Sequence, residues 1–246
     1  MAETRRTIEQ HTSANEDLAC EACALHIVAK LEEALSGQEY ATLALSGGKT
    51  PEKLYAQLAR SRFPWDKVHL FWVDERAVPP SNAQSNYKLA EERFITPASI
   101  APKNVHRIYG ELAPDQAAKR YAGEIREFFS LGDGEMPHFD VVHCGIGEDC
   151  HTASLFPGEP LIEDREGIAA AVYAAKLKTW RITLLPGPLT AARQAVVLVA
   201  GAQKAEAVRA VVREPYDPLE YPAQLISHRG HGVAFFMDEA AASLLD

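Results

Sequence analysis

The chain has 246 residues, of which 47% are hydrophobic and 24% charged, a composition typical of a globular protein with a sizeable core. Asp and Glu number 34 against 25 Lys and Arg, and the net charge of −9 excludes a general attraction for nucleic acid or an anionic membrane surface. The first 20 residues lack the apolar run of a secretory signal, and no segment approaches the roughly 20 apolar residues of a membrane helix. We therefore expect a cytoplasmic protein with four reduced cysteines.

In chain order, the pattern begins with a helix. Ser13 and Glu16 have the spacing of a capping box, and Gly37 is expected to end the helix that follows. The strand 40–45 comes next, and after a glycine-rich loop Pro51 opens a second helix. Apolar runs predict further strands at 68–73, 139–144, 195–200 and 232–237, weaker strands at 169–174 and 181–185, and helices at about 85–94, 115–130, 202–213 and 238–245.

The stronger strands are apolar throughout and are separated by helices. This pattern predicts a parallel sheet that is covered on both faces. The predicted fold class is α/β, with residues 1–246 forming a single-domain, open, doubly wound, mostly parallel sheet of Rossmann-like type. Ligands of such sheets bind beyond the carboxyl ends of the strands, so the loops of interest are 46–50, 74–80, 145–158 and 201–204.

The first of these loops reads Ser46-Gly47-Gly48-Lys49-Thr50. Two glycines allow a ligand close to the backbone, and the helix that follows directs its free N–H groups and positive dipole end at the loop. Lys49 adds a charge and Thr50 a hydroxyl, so the loop is interpreted as a phosphate cradle. The alternative is a glycine-rich turn in which Thr50 caps the helix. The spacing does not match a Walker loop.

Three charged residues, Asp74, Glu75 and Arg76, directly follow the strand 68–73. Charges at the end of an apolar run are seldom buried without partners. In one interpretation, Arg76 binds an anion or stabilises a developing oxyanion, and Asp74 has an orienting or proton-handling role. The other is an ion-pair cluster on the surface, and the spacing does not choose between the two.

Residues 143–152 combine Gly, Cys, His and acidic side chains in a way that suggests a nucleotide or zinc site. A dinucleotide fingerprint needs a third glycine, where this chain has Cys150. His143 and Cys144 lie in a predicted strand and point to opposite faces, and no second ligand pair has the spacing of a tetrahedral site. Cys20 and Cys23 are predicted to be packing residues within a helix. The sequence therefore predicts neither a metal nor a cofactor.

His151 follows Glu148 and Asp149 in a loop at the carboxyl end of a predicted strand, a setting that suits a general base. The alternative is a histidine that only hydrogen-bonds its loop. Arg181 opens a predicted strand, and Lys204 lies in the first turn of a helix after a strong strand, near the ligand edge. Together with the other loops both could complete an anion site, or each could be a solvated charge. We count Asp149, Arg181 and Lys204 among the substrate-binding candidates.

The stretch GIGEDCHTASLFPG resembles the signature of the 6-phosphogluconolactonases. LALSGGKTPEKLY, WVDERAVPPSNAQSNY, RITLLPGPLTAARQAVVLVAGAQKAEAV and FFMDEAAAS resemble further blocks of that family in the same order, so the resemblance runs from about residue 40 to the end. It implies hydrolysis of 6-phospho-D-glucono-1,5-lactone in the oxidative pentose phosphate pathway and a fold shared with glucosamine-6-phosphate deaminases. We expect a monomer or weak homodimer that acts on a small sugar phosphate.

By the same resemblance, His151 activates water, Arg76 and the loop 46–50 line the substrate site, and Arg181 and Lys204 lie near the phosphate. One position departs from the family pattern, because Cys150 stands where a glycine usually precedes the histidine. If that position has a positive φ, a non-glycine residue costs on the order of 1 kcal/mol there.

Two other functions are weighed. A glucosamine-6-phosphate deaminase has the same fold, but TASLFPG after His151 is of the lactonase type. A sugar-phosphate sensor of a transcription regulator carries a helix-turn-helix ahead of the domain. Here only about 40 residues precede the first predicted strand, and they resemble a single helix.

Overall fold

The computed structural model describes residues 8–245, in which strands and helices alternate along the chain. The strands are β1 (Glu9–Ser13), β2 (Ala41–Leu45), β3 (Val68–Trp72), β4 (Asp74–Arg76), β5 (Val141–Cys144), β6 (Ala169–Ala174), β7 (Thr179–Leu184), β8 (Gln194–Val199) and β9 (Ala234–Asp238). The α-helices are α1 (Glu16–Leu35), α2 (Lys49–Arg60), α3 (Asn86–Ala90), α4 (Pro114–Phe128), α5 (Pro186–Ala191), α6 (Ala205–Arg213) and α7 (Glu239–Ala242).

Six strands form the main sheet in the order β1-β9-β8-β5-β2-β3, and every pair in it is parallel. All residues of β2, β5 and β9 are buried, as expected for strands with a packed layer on both faces. The predicted α/β class and doubly wound, mostly parallel sheet are confirmed. Chain order reverses between the neighbours β2 and β5, so the loops that leave their carboxyl ends lie side by side.

A second, three-stranded sheet in the order β4-β7-β6 departs from the prediction of one sheet. Its pairs are antiparallel, and β6 and β7 are only partly buried. Strands with one solvated face carry the mixed composition that made these segments weak signals in the sequence. The second sheet has a direct consequence for the loops, because it fixes residues 74–76 against residues 181–183.

The N-terminal region also differs from the prediction. Residues 9–13 form β1 and pair with β9, where the sequence predicted only a helix before residue 40. The helix α1 is capped by Asn15, whose side chain accepts a hydrogen bond of 3.0 Å from Leu18 N, so the predicted cap at Ser13 is wrong by two residues. Both are good capping residues, and pairing with β9 commits Ser13 to the strand.

Both sheets share one hydrophobic core. The hydroxyl of Tyr121, in α4, lies 2.8 Å from both the backbone N and O of Trp72. It therefore satisfies both backbone groups of Trp72, in β3. Across residues 8–245 we find no helix with the length and apolarity that crossing a membrane requires.

Candidate active site

The loop after β2 depends on both of its glycines. Gly48 has a φ of 130° and is the N-cap of α2, so the alternative in which Thr50 caps the helix is wrong. A Cβ on Gly47 would lie 1.8 Å from Oδ1 of Asn86, so only glycine fits against that side chain. The first N–H groups of α2 are thereby directed at the loop, as an anion cradle requires.

The structure places four of the five predicted cradle residues in two separate spaces. Ser46 and Gly47 line a small pocket of about 150 Å³ next to His151, which we call the inner pocket. Lys49 and Thr50 lie in the first turn of α2 and line a separate cleft with Glu16 and Asp238. The charge of Lys49 is therefore not delivered to the inner pocket.

The inner pocket brings together most of the predicted residues. Those that line it are Ser46, Gly47, Asp74, Arg76, His151, Arg181 and Lys204. A larger cleft of about 590 Å³, which we call the outer cleft, opens beside it and is lined by Asp149, Phe156, Tyr173 and Lys176 among others. His151, Gly147 and Lys204 line both spaces and stand at their border.

Two arginines dominate the electrostatics of the inner pocket. Arg76 and Arg181 are register partners across β4 and β7. The Nε atom of each is buried and has no hydrogen-bond partner within the described chain, while Nη1 of Arg76 donates to Gln84 O at 2.6 Å. Burial lowers the pKa of Arg181, and the nearby Arg76 charge acts in the same direction. Buried guanidinium donors without partners favour an anionic ligand.

Asp74 is a buried anchor, with 4% of its surface exposed. Its carboxylate accepts hydrogen bonds from Ser154 Oγ at 2.7 Å and Asn86 Nδ2 at 3.2 Å, and Oδ2 lies 3.6 Å from Nη1 of Arg181. These contacts hold the loop after β5 and the Arg181 side chain in place. They favour the orienting role of Asp74 over the proton-handling one.

Glu75 is equally buried, so the alternative of a surface ion-pair cluster at 74–76 is wrong. Its carboxylate accepts hydrogen bonds from the backbone N atoms of Arg76, Asn86 and Tyr87 and from Ser85 Oγ. Burial nevertheless raises the pKa of Glu75 above its usual range. Glu75 thus accepts the first N–H groups of α3, whose N-cap is Ser85, and fixes the segment that bears Asn86.

His151 is paired with Asp149, and its Nδ1 lies 2.5 Å from Oδ1 of that carboxylate. The hydrogen bond to His151 holds the pKa of Asp149 well below its usual range. Lys176 Nζ lies 3.6 Å from the other carboxylate oxygen, and the ring of Phe156 lies 4.7 Å from the imidazole. No hydrogen bond found within residues 8–245 engages Nε2 of His151, so that nitrogen is available for proton transfer.

The backbone around His151 forms a tight turn that depends on two neighbours. Gly147 N donates to His151 O at 2.8 Å, and Cys150 N donates to Gly147 O at 3.0 Å. Cys150 has a φ of 64°, so the expectation of a positive φ at this position is met by a non-glycine residue. The buried thiol of Cys150 donates a hydrogen bond to Ala207 O at 3.8 Å. A glycine at this position would lack that contact.

Sequence reasoning missed four residues that contact the site: Asn86, Ser154, Phe156 and Lys176. Asn86, Ser154 and Phe156 lie within the stretches that resemble the family, but the residue pattern assigned no role to any of them. Lys176 is 81% exposed in its side chain and lies between β6 and β7, where no motif marks it. Lys204, by contrast, is half-buried at the border of the two spaces, where burial lowers its pKa.

The chain matches known proteins over most of its length. The family model described as glucosamine-6-phosphate isomerases/6-phosphogluconolactonase matches residues 14–236. A 6-phosphogluconolactonase of Synechocystis sp. is 34% identical over 232 residues, which are 94% of this chain and 95% of that protein.

Solved structures agree in fold. The 6-phosphogluconolactonase from Trypanosoma brucei superimposes with a TM-score of 0.86 at 26% identity, covering 99% of this chain and 100% of that one. A monomeric glucosamine-6-phosphate deaminase gives a TM-score of 0.80 at 20% identity over 96% of this chain and 100% of that one, a likeness that shows the fold alone.

Proposed function

The chain belongs to the family of glucosamine-6-phosphate isomerases and 6-phosphogluconolactonases, and from this premise we propose that it hydrolyses 6-phospho-D-glucono-1,5-lactone to 6-phospho-D-gluconate. One observation supports this most strongly: the His151–Asp149 pair stands at the border between a pocket rich in cations and an open cleft. A sugar phosphate with a reactive carbonyl at its far end matches that arrangement.

In the proposed reaction, Nε2 of His151 takes a proton from a water molecule as its oxygen adds to the lactone carbonyl carbon. The carbonyl π-electrons move to oxygen and form a tetrahedral oxyanion. When the oxyanion collapses, the bond between the carbonyl carbon and the ring oxygen breaks. The ring oxygen takes the proton back from His151, and the acid product loses a proton to solvent at neutral pH.

Asp149 is assigned to orient His151, a change from its predicted place among the substrate-binding residues. Its carboxylate accepts from Nδ1, so the proton of neutral His151 sits on that nitrogen and the lone pair on Nε2. The same carboxylate stabilises the imidazolium that forms during the attack. Asp149 is therefore proposed to act through His151 and not on the lactone itself.

The substrate phosphate is proposed to lie in the inner pocket, against Arg181, Lys204, Ser46 and the N–H groups of the glycine loop. Arg76 is proposed to face the oxyanion that develops on the carbonyl oxygen, where one such donor commonly contributes about 2.7–4 kcal/mol. Binding of the distant phosphate then positions the reacting end beside His151.

The decisive experiment is a coupled lactonase assay with freshly made 6-phosphogluconolactone, corrected for spontaneous hydrolysis. We expect the wild-type chain to accelerate the reaction and His151→Asn to lose about 10²–10⁴ of the turnover number, the usual contribution of general acid–base catalysis. Asp149→Asn should show a smaller loss, while His138→Asn, at an exposed histidine, should be unchanged. Near-full activity of His151→Asn would exclude the mechanism.

A parallel incubation with glucosamine 6-phosphate distinguishes the second activity of the family. We expect no release of ammonia above background. Release of ammonia without lactonase activity would reassign the chain to the deaminases.

We further propose that the chain acts in the cytoplasm as a monomer or weak homodimer. All four cysteines are free thiols, as expected in a reducing compartment. Light scattering after gel filtration tests the oligomeric state. A stable higher oligomer would contradict that part of the proposal.

A further inference from the structure

A cluster of potential metal ligands lies between β1 and α1, outside both spaces that His151 lines. Its members are Glu9 and His11 on β1 and His26 on α1. Glu9 and His11 are two residues apart in a strand, so their side chains lie on the same face. The sequence predicted no metal here, because it predicted no strand to bring a Glu-x-His pair onto one face.

The geometry of these three side chains points to a bound cation. One ligand atom from each lies within 4.8 Å of the others, and His11 Nε2 lies 2.8 Å from Glu9 Oε1. The Nε2 atoms of His11 and His26 are both buried. Among the described residues, Nε2 of His26 has no hydrogen-bond partner, whereas Nε2 of His11 contacts Glu9 Oε1 without a well-aligned hydrogen bond. A buried imidazole nitrogen without a partner is costly unless something binds it.

Packing against one aromatic side chain, Phe236, holds the two imidazoles in place. The ring of His11 stacks on Phe236 at a centroid distance of 4.5 Å and an interplanar angle of 5°. The ring of His26 tilts against the same Phe236 at 5.1 Å. Each ring is thus packed against the same aromatic side chain. Preorganised ligand rings of this kind reduce the ordering cost of binding an ion.

We propose that Glu9, His11 and His26 form a site for a divalent transition-metal ion of the Zn²⁺ class, with solvent completing the coordination. Two imidazoles and one carboxylate suit Zn²⁺, Ni²⁺ or Cu²⁺ better than Mg²⁺ or Ca²⁺, which take oxygen ligands. A tetrahedral Zn²⁺ with bonds of about 2.0–2.2 Å separates its ligand atoms by roughly 3.4 Å. To reach that spacing, the distance between the ligand atoms of His11 and Glu9 would increase slightly, and the ligand atom of His26 would move closer to both.

The site would fasten an edge strand. Among residues 8–245, β1 pairs with β9 on one side only and is the outermost strand of the main sheet. A metal that links Glu9 and His11 to His26 ties β1 to the helix that covers it. Because the ion binds the folded state, it should raise the unfolding temperature. None of the three residues lines the inner pocket or the outer cleft, so the lactonase rate should not depend on the ion.

The test uses the full chain, freed of metal with a chelator and titrated with Zn²⁺ by calorimetry, with Mg²⁺ as the contrasting ion. We expect one Zn²⁺ per chain with micromolar or tighter affinity, a higher unfolding temperature with Zn²⁺, and no response to Mg²⁺. His11→Gln and His26→Gln should each weaken Zn²⁺ binding at least about tenfold, since losing only an outer-shell partner already costs about 10–100-fold.

The matched control is His138→Gln. This exposed histidine is distant from β1 in the sequence, so its replacement should leave the affinity for Zn²⁺ unchanged. Circular dichroism of the metal-free variants confirms that they fold. Absence of Zn²⁺ binding below millimolar concentration, or binding that neither His11→Gln nor His26→Gln weakens, would overturn the proposal. Lactonase activity plays no part in this readout, so the proposed function stands or falls separately.

Discussion

Arg76 and Arg181 face each other across the antiparallel pair β4–β7. Like charges directly opposite in a ladder destabilise a sheet, and among residues 8–245 Asp74 is the one carboxylate found in an ion pair with either arginine. The free protein therefore holds an excess of positive charge in place before any ligand arrives. An anion in the inner pocket relieves that repulsion, which gives the phosphate an electrostatic reason to bind there.

The two arginines are expected to differ in kinetics despite their pairing. Arg181→Met should raise the KM at least about tenfold, because a charged hydrogen bond to phosphate contributes about 1.5–3 kcal/mol. Arg76→Met should mainly lower kcat, by about 10²–10³, as loss of an oxyanion donor does. Steady-state lactonase kinetics separate the two, with Arg193→Met, at an exposed arginine, as the control. If both variants change only the KM, Arg76 belongs to the phosphate site.

Gly147 is expected to be irreplaceable because of where His151 sits. A Cβ on Gly147 would lie 2.0 Å from His151 Nδ1 and 2.8 Å from Asp149 Oδ1. Gly147→Ala must therefore push the imidazole away from its carboxylate, and we expect both lower kcat and lower stability. Gly123→Ala is the matched control, because a Cβ there meets nothing within 4 Å and the position is exposed in α4. It should keep full activity and gain about 0.5–1 kcal/mol of stability. Normal turnover by Gly147→Ala would contradict the observed packing.

Cys150 has a backbone conformation that is typical of glycine, and two substitutions can measure the free energy that this conformation costs the folded state. At a φ of 64° alanine is strained, so Cys150→Gly should be more stable than Cys150→Ala by about 1 kcal/mol. Cys144, in β5, has no such conformation, and there the alanine variant should be the more stable one. Urea unfolding of the four variants measures both differences. The same order at both positions would mean that Cys150 is not strained.

Much of the main sheet could be predicted from the sequence, because strands that are apolar on both faces leave a continuous signal. The strands β2, β5 and β9 were predicted to within two residues for this reason. β1 and β4 could not be predicted in the same way. They are short, polar and partly exposed or charged, and only their pairing with β9 and β7 makes them strands.

The candidate site shows a similar division. His151 and Arg76 could be selected because each follows a strand at the carboxyl edge, whereas Arg181 and Lys204 could be selected only in combination with those loops. Lys49 has the same position in the sequence, yet Gly48 caps α2 so early that Lys49 enters the helix and leaves the inner pocket. The contact between Asp149 and His151 depends on the tight turn at Cys150, which the residue pattern alone does not specify.

His143 lies in the middle of the core on β5, fully buried, and neither ring nitrogen has a hydrogen-bond partner within the described chain. Burial lowers its pKa to about 4. Because the unfolded chain has a histidine pKa of about 6.5, the folded state resists a proton that the unfolded state accepts. The free energy of unfolding is thus not reduced by His143 above pH 6.5. It decreases as the pH falls from 6.5 toward 4, because the unfolded state binds the proton more readily than the folded state.

His143→Leu should remove this dependence while filling the same space. We expect the variant to be at least as stable as the wild type at pH 7.5, and its advantage to grow by about 2 kcal/mol by pH 5, from the proton affinity that the unfolded state alone retains. His69, whose pKa is also lowered to about 4 by burial, titrates in the same window, so only the difference between variant and wild type isolates His143. Urea unfolding at several pH values provides that difference, with His138→Leu as an exposed control. A difference that stays constant between pH 7.5 and 5 would mean that the folded state binds a proton at His143 as readily as the unfolded state does, contrary to the burial of its ring.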